Sequence, residues 1–81
     1  MKIDEVKEII KKENLKRVNC YNSLNLSENE VGIKYQTGKW IIYVTDERAN
    51  VVSGSILEFN TEEDALEVLI QKARYANKRF K

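Results

Sequence analysis

Few residues in this 81-residue chain could do chemistry, and their types narrow the choice. There is no His, which excludes a Cys–His nucleophile pair, a Ser–His–Asp triad and any His-bearing metal site. The one Cys, Cys20, reads as a small, half-buried apolar side chain. Gly32, Gly38 and Gly54 are too scattered for a phosphate-cradling loop. The carboxylates Glu62, Glu63 and Asp64 stand where a helix opens and the dipole favours negative charge, so capping explains them. Glu28 and Glu30 face either a partner or water. Asp46, Glu47 and Arg48 form a polar turn after an aromatic strand, able to present charges to a partner or to hold a local ion pair. Tyr21, Tyr35, Trp40 and Tyr43 would stack bases only beside a basic groove, and the strands supply only Lys34, Lys39 and Arg48. No catalytic constellation, metal or cofactor is expected, and the chain reads as a binder and not an enzyme.

Size and charge point the same way. A single domain of this length, residues 1–81, buries only about 60–65% of the surface its unfolded chain exposes. A pocket of several hundred cubic ångströms would consume much of so small a core, which favours work done on the outer surface. Fourteen Lys and Arg against thirteen Asp and Glu leave a net charge of +1, too little for the field of a nucleic-acid binder. One thiol forms no internal disulfide, and the start, M-K-I-D-E-V-K, lacks the apolar run of a signal peptide. A cytoplasmic protein without a membrane span is expected.

The elements that must position these residues centre on G-K-W-I-I-Y-V-T-D, Gly38 to Asp46. Alternation puts Trp40, Ile42 and Val44 on one face and Ile41, Tyr43 and Thr45 on the other, so this is a central strand with apolar matter on both sides. Ile3, Val6, Ile9 and Ile10 form a helical stripe that Asn14 ends, with Glu8 and Lys12 paired on the opposite face. Residues 15–29 hold Asn19, Asn22, Asn25 and Asn29 beside Ser23 and Ser27, punctuated by Leu15, Val18, Tyr21, Leu24 and Leu26, and predict an ordered loop pinned to the core. Val31, Ile33 and Tyr35 alternate as a half-buried strand joined to the central one by a hairpin at Gln36–Lys39. A third strand runs from Ser55 to Phe59, with Val51 and Val52 extending it or turning, and a bulge at Ser53-Gly54-Ser55. Asn60 with Glu63, or Thr61 with Asp64, caps a second helix that buries Ala65, Leu66, Leu69, Ile70, Ala73, Ala76 and Phe80. The fold expected is α+β: a three-stranded antiparallel meander flanked by an N-terminal and a C-terminal helix, in the order α-β-β-β-α. The second helix packs on the Trp40 face; the first lies beside it or covers Ile41 and Tyr43.

The order of motifs from about residue 15 to 70 resembles a family of small α+β immunity proteins of bacterial polymorphic toxin systems. The matching positions are Gly38, Lys39, Trp40, Tyr43, Glu47, Arg48, Phe59, Glu62, Glu63 and Ala65. In that family the Glu-Arg pair is commonly followed by Gly, where this chain has Ala49. The resemblance implies a bacterial antitoxin: a cytoplasmic protein that binds a cognate toxin protein and blocks it. The contact residues expected are Tyr43, Asp46, Glu47 and Arg48, with Tyr21 and Glu30 next. A basic toxin cleft would be met by Glu28, Glu30, Asp46 and Glu47 if these gather on one edge. The rival reading is a small mobile-element regulator that binds nucleic acid or a host protein through Lys72, Arg74, Lys78 and Arg79 of the second helix, cations that a helix C-terminus also favours for its own stability. A homodimer through an open face or edge strand is compatible with either.

Overall fold

A computed structural model of the chain describes residues 1–21 and 26–79, the last without its side chain, so Asn22, Ser23, Leu24 and Asn25 of the expected loop and Phe80 of the expected helix stripe lie outside the described residues. The elements run α1 (Ile3–Lys12), β1 (Val18–Cys20), β2 (Val31–Gln36), β3 (Lys39–Val44), a 3-10 turn (Ser53–Ser55), β4 (Leu57–Phe59) and α2 (Glu62–Arg79). The class is α+β, but the sheet has four strands in the order β1-β2-β3-β4, with β1 parallel to β2 and the other pairs antiparallel. The three-stranded meander is therefore corrected. The extra strand lies in the stretch expected to be a loop, and it is only three residues long. Its ends are set by Arg17 (φ 63°) and Tyr21 (φ 60°), left-handed residues of types that carry no turn signature.

Local chemistry explains the other boundaries. Asn14 takes φ 53° after α1, and the amides of Asn14 and Leu15 bond the carbonyls of Lys11 (3.3 Å) and Ile10 (2.9 Å), a Schellman closure. Thr37 (φ 53°) and Gly38 (φ 76°) make the two-residue loop between β2 and β3, the paired positive φ values that suit the twist of a hairpin. Of the two caps open to α2, Thr61 is used: its hydroxyl accepts the Asp64 amide at 3.3 Å. The returning strand is shorter than expected: it begins at Leu57 and not at Ser55, and a 3-10 turn at Ser53–Ser55 stands where a bulge was expected. Ile42 stands opposite Leu57 and Thr45 opposite Val51, so three steps along β3 are answered by six on the returning chain.

Both helices share one face of the sheet. Val6 of α1 and Ala65, Leu66, Leu69 and Ile70 of α2 close on Val31, Ile33 and Ile42, with Trp40 and Phe59 packed at the margin. α1 thus lies beside α2 and does not cover Tyr43. The other face carries Asn19, Gly32, Lys34, Ile41, Tyr43, Thr45 and Glu58. Its two large apolar residues are nonetheless buried, Ile41 at 8% and Tyr43 at 1% exposure. Tyr43 lies across Gly32, where a Cβ would sit 2.3 Å from the ring, and Lys34 Nζ stands 5.8 Å from the ring centroid.

Candidate partner-binding surface

Asp46 organises the turn that follows β3. Its Oδ1 accepts the amides of Arg48 (2.8 Å) and Asn50 (3.0 Å), its carbonyl accepts the Ala49 amide (3.0 Å), and its own amide bonds the Asn50 carbonyl (2.9 Å). The carboxylate is spent on holding backbone, so Asp46 shapes the turn, while the side chains of Glu47 and Arg48 are left exposed. Ala49 sits at φ 61°, the left-handed geometry that Gly adopts freely.

Glu30 and Tyr43 do not belong to the surface. Glu30 is 5% exposed, and its Oε1 accepts Asn19 Nδ2 (2.8 Å) and the Ser27 amide (2.9 Å). Its amide donates to Thr45 Oγ1 (2.8 Å), whose hydroxyl donates to the Ser27 carbonyl (2.6 Å). This buried node latches residues 27–30 to the end of β3, a structural role that replaces the expected contact role. Tyr43 is equally interior. Among the described residues its hydroxyl has no hydrogen-bond partner, and burial, followed by the nearby charge of Glu30, pushes its pKa up to about 12.

Residues 27–30 also meet the turn itself, since the Asn29 amide donates to the Asp46 carbonyl at 2.9 Å. Glu28 and Glu47 are therefore both exposed at this end of the sheet, while Glu30 turns inward. Tyr21 lies elsewhere. It is 40% exposed, and its hydroxyl donates to Glu62 at the start of α2; burial of the ring and that carboxylate raise its pKa well above the ordinary value. Nearby, Tyr35 packs on Trp40 with ring centroids 4.9 Å apart, and Trp40 floors a depression of about 570 Å³ between the starts of the two helices. The expected set therefore divides: Asp46, Glu47 and Arg48 share one turn, Tyr21 stands at the helix starts, and Tyr43 and Glu30 are internal.

Sequence reasoning missed the apolar residues that follow the turn. Val51, Val52, Ile56 and Leu57 are 36%, 41%, 43% and 41% exposed, on the chain that returns along β3; Val51 stands opposite Thr45 and so on the helix-free side, Leu57 opposite Ile42 on the helix side. The signal in the sequence is the pair of β-branched residues directly after the turn, Val51 and Val52, whose types fit strand or turn alike and do not say which way they face. At the basic end of α2, Arg74 is already engaged: Nε reaches Glu13 Oε1 at 2.9 Å and Nη2 reaches Oε2 at 2.6 Å, which holds the Glu13 carboxyl below its usual range. Lys72 is half-buried and Lys78 exposed; the Arg79 side chain lies outside the described residues. Among the described residues no helix is long and apolar enough to cross a membrane. No family model matches the chain, and no curated protein and no solved structure matches it either.

Proposed function

We propose that the chain is an immunity protein, a cytoplasmic antitoxin that binds a cognate bacterial toxin domain and neutralises it by surface contact. The observation that carries this reading is the segment from Glu47 to Leu57, in which the charged Glu47 and Arg48 and the apolar Val51, Val52, Ile56 and Leu57 are all exposed along the chain that returns beside β3. Exposed apolar side chains next to charged ones are the composition of a protein-binding surface. Glu47 and Arg48 stay in the contact set, Val51, Val52, Ile56 and Leu57 join it, and Asp46 supports it from within the turn. Tyr21 forms a secondary contact at the helix starts. Of the four cations on which a nucleic-acid regulator would rely, Arg74 is paired with Glu13. The test is co-expression with the protein encoded by the adjacent gene. Suppressed toxicity with co-purification supports the antitoxin. A neighbour that is toxic alone, unsuppressed and uncomplexed, together with salt-sensitive nucleic-acid binding by this chain, would instead favour the regulator.

A further inference from the structure

The direction of the backbone groups on β4 says what kind of contact this edge can make. Val44 accepts the Val52 amide at 2.9 Å and donates to Ser55 Oγ at 3.1 Å, so its main-chain groups face the returning chain; Thr45 donates to the Glu30 carbonyl at 2.8 Å and faces β2. Alternation along β3 then turns Ile42 and Trp40 toward β4, where they exchange bonds with Leu57 and Phe59. Glu58, opposite Ile41, is left with its N–H and C=O pointing away from the sheet, and no described residue on that side pairs with β4. Ile56 and Leu57, at 43% and 41% exposure, supply apolar contact immediately before this open rung.

From this geometry we infer that β4 accepts an extended strand of the partner protein as a fifth strand of the sheet, with a Lys or Arg of that strand opposite Glu58. The inference rests on the antitoxin reading and specifies how that surface binds. Charge selects the occupant. On the helix-free face the row Lys34, Ile41, Glu58 ends in a carboxylate, and the residue that continues the row stands beside it. In an antiparallel second copy that neighbour is Glu58, Ile56 or Asn60 according to register, none of them a cation, whereas a basic residue from a different chain is favourable. The 3-10 turn at Ser53–Ser55 stops the ladder, so the docked strand is short, spanning Ile56 to Asn60.

The probe is the purified product of the adjacent gene, with its toxic activity silenced by mutation. Two variants separate the backbone and charge components: Glu58→Pro removes the outward N–H without touching the bonds to β3, and Glu58→Lys reverses the charge. Each should weaken Kd by about tenfold or more, since 1.4 kcal/mol is a factor of ten. If Glu58→Pro fails to fold, amide hydrogen exchange of the wild-type complex reads the same contact: the Glu58 amide should gain protection on binding, while those of Leu57 and Phe59 are protected before and after. Binding by the wild type with an unprotected Glu58 amide, or undiminished binding by folded Glu58→Pro and Glu58→Lys, overturns the strand-addition inference and leaves the antitoxin reading standing. Absence of wild-type binding removes both. A wild-type dimer that Glu58→Pro dissolves would assign the edge to a second copy instead.

Discussion

Gly32→Ala should be among the most damaging single-methyl changes in this chain, because the space a Cβ needs is filled by the Tyr43 ring. The added carbon would lie 2.3 Å from Cζ, 2.4 Å from Oη and 2.7 Å from Cε2, whereas carbon contacts are optimal at about 3.5–4.0 Å. The ring must therefore retreat by more than about 1 Å. It is 1% exposed, so it retreats into packed neighbours. Overpacking of this kind costs about 1–3 kcal/mol, and outright expulsion of a buried aromatic about 3–5 kcal/mol. Alanine returns about 0.5–1 kcal/mol because it loses less backbone entropy than glycine in a strand. The net expectation is a loss of about 0–2.5 kcal/mol if the ring shifts in place and about 2–4.5 kcal/mol if it is expelled, against the roughly 4–12 kcal/mol available to a domain of this size. Urea unfolding followed by Trp40 fluorescence would read it, in a cycle with Tyr43→Ala. With the ring gone, Gly32→Ala should cost less than about 0.5 kcal/mol. An equal cost in both backgrounds would refute the idea that the ring is what forbids the side chain.

Tyr43→Phe should be neutral or stabilising by up to about 1 kcal/mol, because it deletes a buried hydroxyl with no described partner; chemical denaturation decides. The same substitution should change the alkaline limb of stability. The folded pKa of about 12 lies above the ordinary value near 10, so the wild type is fully stabilised below pH 10 and loses stability as pH rises toward 12. Tyr43→Phe should flatten that loss in a pH series of unfolding curves, and an unchanged slope would count against burial of the phenol. Ala49→Gly should raise stability by about 0.5–1 kcal/mol, since φ 61° costs an L-residue roughly 1–2 kcal/mol and glycine gives part of that back as entropy; a lower Tm would contradict the left-handed turn. Removing the Glu47 and Arg48 side chains together should leave stability within about 0.5 kcal/mol, whereas Asp46→Ala, which frees two backbone amides, should cost about 1–3 kcal/mol. In the adjacent-gene binding assay the double variant should bind more weakly despite its intact fold.

What could be read from the residues was whatever a single element decides for itself. Asn14, Thr61 and the Thr37-Gly38 loop mark boundaries through their own backbone preferences, and the two-faced apolar pattern of β3 follows from alternation alone. β1 escaped because three residues show no period and its ends rest on Arg17 and Tyr21 in a conformation their types do not advertise. The parallel pairing of β1 with β2 is a tertiary decision that no local signal encodes. Tyr43 and Glu30 were misplaced for a related reason: alternation says which face a residue takes but not what lies over that face. Glu30 looks like any surface acid until Asn19, Ser27 and Thr45 converge on it. The exposure of Glu47 and Arg48 is legible because a polar turn with a backbone-bonding Asp at its start is a local feature, whereas the exposure of Val52 and Ile56 depends on the 3-10 turn between them, which no local signal encodes.

Neutralisation by stoichiometric contact is tested most directly by titrating the purified chain into the purified, active product of the adjacent gene while following both heat and toxic activity. The antitoxin reading predicts saturation at a fixed ratio with activity lost at the same point, and weaker saturation for the Glu47 and Arg48 double variant. Unchanged toxic activity and no heat at about a hundredfold excess over any micromolar Kd would contradict it.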